Sequence, residues 1–139
     1  MSKFFKRLIF IIILMIAIAS IFTWKWVFRE QEKSVGSHKA DITVSAEVIV
    51  KEFETDENKA NIKYLNKIVA VSGTINSQTV NDKDITVILK NEEATAGVSC
   101  SFDKTTIAGS SLVKGRKITV KGLCSGFLMD VVLNRCSLE

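Results

Sequence analysis

Histidine occurs once in this chain, at position 38, and proline not at all. The composition gives no physical account of the missing proline. The missing histidine excludes chemistry: downstream of His38 no imidazole can activate a cysteine or a serine. Cys–His and Ser–His–Asp arrangements are therefore not available there. Cysteine is also sparse. Cys100, Cys124 and Cys136 are the three present, and no two form a Cys-x-x-Cys pair. A structural zinc needs four ligands, so no metal site is expected. No glycine-rich phosphate loop occurs, no cofactor is implied, and no catalytic residue is assigned. The acids that could be imagined as a pair, Asp82 and Asp84 with Asp130, share no spacing that would join them. Glu92 and Glu93 read as loop charge. The expectation is a protein that is not an enzyme.

A long apolar run, by contrast, is present. Leu8 to Phe28 carries one charge, Lys25, and follows Lys3, Lys6 and Arg7. About twenty helical residues cover a hydrocarbon core of about 30 Å. Trp24 and Trp26 fall where the run meets water, and Lys25 and Arg29 can snorkel outward. Ala17-Ile18-Ala19 has the small-x-small form of a signal-peptide site, but cutting there would leave the greasy stretch 20–28 as a new terminus. An uncleaved anchor is the reading adopted. The flanking cations place the N-terminus in the cytoplasm and the rest outside a bacterial cell membrane, as a single-pass protein.

The formal net charge of +4 belongs to that anchor. Residues 1–29 hold five Lys or Arg and no acid, leaving 14 of the 19 basic groups and all 15 acidic groups, a net of −1, for residues 30–139. A domain so balanced has no general attraction for phosphate. Its aromatics are only Phe53, Tyr64, Phe102 and Phe127. Nucleic acid is not an expected partner.

The chain divides into a basic flank (1–7), the anchor (8–28), a polar linker (29–39) and one domain (40–139). Thr43 or Ser45 is placed to cap a helix with an apolar stripe of Val48, Ile49, Phe53 and Ile62, and Asp56-Glu57-Asn58 reads as a break or a fresh N-cap before a second helical stretch, Lys59 to Leu65. From Lys67 the period changes to alternation. Five strands are expected, over 67–75, 85–89, 97–102, 116–122 and 129–133. Gly73 reads as a bulge or close-approach site, Cys124-Ser125-Gly126 as a turn, and 103–113 as an irregular crossover with room for a short helix. Three strands, a crossover and a closing hairpin is the order of an OB barrel, a mainly β fold, here with a leading helical segment.

The stretches Ala46–Phe53, Glu57–Asn61 and Tyr64–Lys67 leading into Val71-Ser72-Gly73 resemble the bacterial OB-fold family labelled tRNA_anti-like. So do Val98–Phe102, Lys114-Gly115, Val120–Gly126 and Asp130–Leu133 with Cys136. The similarity covers roughly residues 40–138 and is to the anchored or exported, lipoprotein type, although no lipobox cysteine is present. It implies an OB barrel and carries over no catalytic residue. In that topology the third and fifth strands are neighbours, so Cys100 and Cys136 are the pair expected to form a disulfide outside the cell, against the alternative of three buried thiols. Alternation marks Thr86, Lys90, Ser99, Ser101 and Lys121 as candidates for an outward ligand face. The expected function is a membrane-anchored extracytoplasmic binding module with a protein or glycan partner. Single-stranded nucleic-acid binding and a purely structural envelope role are the alternatives.

Overall fold

The computed structural model describes residues 3–29, 35–107 and 112–139. Residues 30–34 of the expected linker and 108–111 of the crossover lie outside the described residues. The chain forms two compact units, Met1–Lys33 and Ser34–Glu139.

The first unit is helix α1, Lys3–Arg29, 27 residues and therefore about 40 Å long. Its described apolar side chains, from Ile9 to Phe22, are all exposed, with Phe10 at 72% and Phe22 at 73%. Among the described residues, no helix is long and apolar enough to cross a membrane. The stretch of described side chains stops at Thr23, and those of Trp24 to Arg29, the expected interfacial anchors, lie beyond it. A crossing over 8–28 is thus a matter for proposal.

In the second unit a short strand β1 (Ile42–Ser45) runs straight into α2 (Ala46–Thr55). Ser45 ends the strand and caps the helix, its hydroxyl accepting from the Val48 N–H at 3.4 Å. Asp56 then caps α3 (Glu57–Tyr64) by accepting from the Lys59 N–H at 3.1 Å. The buried face of the pair is Ile49, Val50, Phe53, Ala60 and Tyr64. Two members of the expected stripe lie elsewhere: Val48 is 47% and Ile62 82% exposed. The break at Asp56 rotates α3, so Ala60 and Tyr64 face the barrel in place of Ile62.

Five strands follow, β2 (Ile68–Val80), β3 (Asp84–Leu89), β4 (Val98–Asp103), β5 (Lys117–Phe127) and β6 (Val131–Leu138). They close a mainly β barrel. β2 pairs antiparallel with β3 and β5, β3 with β4, and β5 with β6, while β4 and β6 run parallel and seal the seam. This is OB topology. β1 adds a parallel edge beside the first half of β2, an element absent from the sequence reading. Asp41 secures it, exchanging its backbone N–H and its carboxylate with the carbonyl and N–H of Ile68.

The expected turn at 124–126 is instead inside β5. The register there shifts by a bulge, with Gly126 at φ 118°, a conformation glycine adopts without penalty, and the chain turns at Leu128–Asp130. Gly73 is a close-approach site and not a bulge. A Cβ there would lie 3.0 Å from Ala46 Cβ and 3.1 Å from Leu89 Cβ, while the β2 bulge falls between Ile75 and Ser77.

Candidate functional site

Three of the five outward candidates share one surface. Thr86 on β3 is the register partner of Ser101 on β4, and Ile88 that of Ser99. Thr79 and Ser77 of β2 continue the same rows on one side, and Val132 of β6 extends the Ser99 row on the other. Residues paired across strands project to the same side, so these rows form a sheet face with five hydroxyls, from Ser77, Thr79, Thr86, Ser99 and Ser101. These positions carry neither charge nor an aromatic ring, and the row beyond Thr86 and Ser101 on the same face pairs Asp84 with Asp103.

The other two candidates behave differently. Lys90 follows Leu89 at the end of β3 and borders a groove of about 490 Å³ between α2 and the barrel. Lys51, between Glu47 and Glu54 on α2, and Lys117 at the start of β5 line the groove as well, so its charge is mixed. Gly73 is also in its wall, and the Asn91 side-chain amide bonds the Glu47 carboxylate across it. No motif announced this groove, and Gly73 was its one sequence signal. Lys121 is a correction. It is only 9% exposed, because the 3₁₀ turn Val35–Ser37 packs over β5 and β6, and its ammonium donates to the Gly36 carbonyl at 3.3 Å. The alternation that put Lys121 outside the barrel could not foresee that the linker would cover it.

All four domain aromatics are engaged in packing. Phe53 stacks on Phe127 at 5.6 Å and tilts against Tyr64 at 5.9 Å, while Phe102 is fully buried in the barrel. Lys63 bonds the Glu52 carboxylate at 2.8 and 2.9 Å and stands 4.8 Å over the Tyr64 ring. Burial raises the Tyr64 hydroxyl above its ordinary pKa. That hydroxyl lies within electrostatic reach of Glu52 and Lys63 without a well-formed hydrogen bond.

The acids do not converge. Asp130 accepts from the Gly97 N–H at 2.7 Å, at the start of β4. Asp84 pairs in register with Asp103 at the other end of that strand, about 20 Å away. Asp103 bonds the Thr105 hydroxyl and N–H, which lowers its pKa. Among the described residues no cluster of His, Cys, Asp or Glu could hold a metal ion.

Cys100, Cys124 and Cys136 are free thiols and buried, so the bridge expected from the topology is not formed in this structure. The Cys100 thiol faces the Val98 carbonyl at 3.8 Å and the Cys136 thiol donates to the Leu133 carbonyl at 3.3 Å. The neighbouring Cys136 side chain, and then burial, hold the Cys100 thiol well above its usual pKa; burial raises Cys124 too. Thiols held in this way are poor nucleophiles.

The strand order, the leading helices and the seam all belong to one fold, and a sequence model of the corresponding family matches residues 1–138. The chain belongs to the tRNA_anti-like family. No curated protein matches this tRNA_anti-like chain in sequence. Among solved structures it is similar to a Klebsiella pneumoniae protein described as a "putative nucleic acid-binding lipoprotein". The identity is 17%, 78% of this chain and 97% of the other are covered, and the TM-score is 0.57. At that identity the likeness is one of fold. Yeast Stn1 and Ten1 overlay at a TM-score of 0.48 with 11% identity, over 81% of this chain and 68% of the other.

Proposed function

We propose that this tRNA_anti-like protein is a membrane-anchored, extracytoplasmic OB module that binds a protein or glycan partner and catalyses nothing. The sheet face built on Thr86, Ser99 and Ser101 is its contact surface. The observation that carries this reading is the fate of the aromatics. Single-strand binding by an OB sheet rests on exposed rings in a cationic groove. Here the rings of Phe53, Tyr64, Phe102 and Phe127 are committed to packing, and the face presents neutral hydroxyls. Support for anchoring comes from the exposed apolar flank of α1 and the cations that precede it. Sealed thiols and dispersed acids support a non-catalytic role.

Two measurements test the reading. Full-length protein in nanodiscs is titrated with fluorescent single-stranded DNA and RNA at low and physiological salt. The expected result is no saturable anisotropy change. Binding that weakens steeply with salt would overturn the choice of partner in favour of nucleic acid, the ligand named for the Klebsiella protein. In cells, a photocrosslinking residue at Ser99 or Thr86 should capture a protein or glycan that one at Lys121 does not. Equal capture from both positions would reject the face. External protease on spheroplasts should degrade the domain, and full protection would reverse the topology.

A further inference from the structure

Along one edge of β2 the sheet changes partners, and the groove beside α2 opens at that change. β1 pairs with this edge from Val69 to Ser72 and leaves it at Ser45 to become α2, and β3 joins only from Thr74 onward. The groove holds about 490 Å³, within the range of about 300–1,000 Å³ usual for small-molecule sites. Strand pairing places its cations. Thr74 is in register with Lys117 of β5, and its carbonyl accepts the Lys90 N–H at 3.0 Å, one step beyond the Ile75–Leu89 pair. Lys117, Thr74 and Lys90 thus form one row across three strands, and residues so paired project to one side. All three line the groove. The outer two stand two strand spacings apart, about 10 Å, so two ammonium groups on flexible stems can converge over the Thr74 hydroxyl.

The backbone of this row is held firmly, and its charge is unpaired. Gly97 brings the loop after β3 back so closely that a Cβ there would lie 2.8 Å from both the Leu89 carbonyl oxygen and Lys90 Cβ. Among the described residues neither Lys90 nor Lys117 forms an ion pair, whereas Lys59 and Lys63 are held by Asp56 and Glu52. The acids of the lining, Glu47 and Glu54, both belong to α2 with Lys51 between them, and the Glu47 carboxylate already accepts from the Asn91 amide. The barrel wall therefore presents two cations to an anion, beside the hydroxyls of Ser72, Thr74 and Thr95.

We infer that this groove binds an acidic sugar, a hydroxylated body carrying a carboxylate or a phosphate. The anion is held between the Lys90 and Lys117 ammonium groups, and the sugar hydroxyls exchange hydrogen bonds with Ser72, Thr74 and Thr95. The apolar side chains of the lining, among them Val50 at 7% and Leu89 at 0% exposed, are buried, so polar atoms face the ligand. That lining suits hydroxyls better than the apolar side chains of a peptide. Among the described residues no aromatic ring lines the groove for a base to stack on. The groove is separate from the rows of Thr86, Ser99 and Ser101, so the inference stands whichever partner meets that face and in whichever compartment.

Calorimetric titration of full-length protein in phosphatidylcholine nanodiscs tests this. The probes are a glucuronate-bearing disaccharide, glucose 6-phosphate, neutral cellobiose, inorganic phosphate and tetraglutamate. Saturable binding of the two acidic sugars is expected, weakening with salt, with cellobiose and inorganic phosphate each about tenfold weaker or more. Lys90→Gln and Lys117→Gln should each lower the affinity about tenfold, and the double variant should remove it. Lys83→Gln, on the exposed turn before β3, and Thr86→Ala should leave it unchanged. All of these variants should keep Tm within about 2 °C, since the replaced side chains lie outside the core. Equal binding of cellobiose would remove the role of the anion, and equal binding of inorganic phosphate would remove that of the sugar. Tighter binding of tetraglutamate would replace the sugar by an acidic peptide. Silence from every probe, or affinity unmoved in folded lysine variants, would overturn the inference.

Discussion

Single residues decide how closely α2 approaches the barrel. Gly73 is the contact, since a methyl there meets Ala46 Cβ at 3.0 Å and Leu89 Cβ at 3.1 Å, both on rigid backbone. Gly73→Ala is expected to cost about 1–3 kcal/mol by overpacking, read as a lower urea midpoint with unchanged m-value. Charge acts at the same scale. The Lys63 hydrogen bond holds the Glu52 carboxyl below its ordinary pKa, and Glu52 in turn raises Lys63. Asp56 is lowered chiefly by the Lys59 N–H, and Asp103 by Thr105. Carboxyls lowered in the fold contribute stability that is complete above their unfolded values and lost as pH falls through the folded ones. Lys63 contributes stability that is lost only as pH rises through its raised value. Tm should thus be level between about pH 5 and 8, fall below about pH 4, and decline again above the unfolded thiol value of about 8.5, where the buried Cys100 and Cys124 stay protonated only in the fold. Glu52→Gln should soften the acid limb only slightly, because the pair is exposed and screened. An acid limb that starts near neutrality would contradict this assignment.

At the scale of elements, α2 depends on its cap and its aromatic face. Ser45 ends β1 and starts α2 with one hydroxyl, so Ser45→Ala should cost about 1 kcal/mol, and Ser45→Asp should restore most of it. Phe53 joins α2 to Tyr64 of α3 and Phe127 of β5. Phe53→Ala should therefore cost about 3–5 kcal/mol and detach the helical pair, seen as fast hydrogen exchange in α2 and α3 with β2–β4 still protected. β5 depends on Gly126, whose φ of 118° no L side chain adopts easily. Gly126→Ala should shift the β5–β6 hairpin and lower the unfolding midpoint, and Gly115→Ala, at φ 86°, should lower it too although its Cβ meets nothing within 4 Å. Much of this was legible locally. Ser45 and Asp56 read as caps and the β-branched alternation as strands, because both signals depend on near neighbours. The bulge at 124–126 read as a turn because glycine serves both, and only the pairing with β6 distinguishes them.

For the molecule as a whole, the five-strand order of the barrel and the β4–β6 seam follow the expected OB topology. The sheet face, rich in hydroxyls and edged by Asp84 and Asp103, sets the partner prediction at this scale. Replacing Thr86, Ser99 and Ser101 together by Ala should remove the crosslinked partner while leaving Tm within about 2 °C, since these half-buried hydroxyls lie outside the core. Loss of fold in that variant would mark the face as structural.

Composition and pattern alone determined the basic apolar start, the nearly neutral domain, the five barrel strands and the absence of an activating imidazole, because each is a property of the chain read in order. Tertiary structure decided what long-range contact decides. It laid residues 35–37 over Lys121, spent four aromatics on packing, opened a groove beside Gly73 and set two distant thiols against one seam. None of these has a local signature, since each depends on which surface another segment comes to cover.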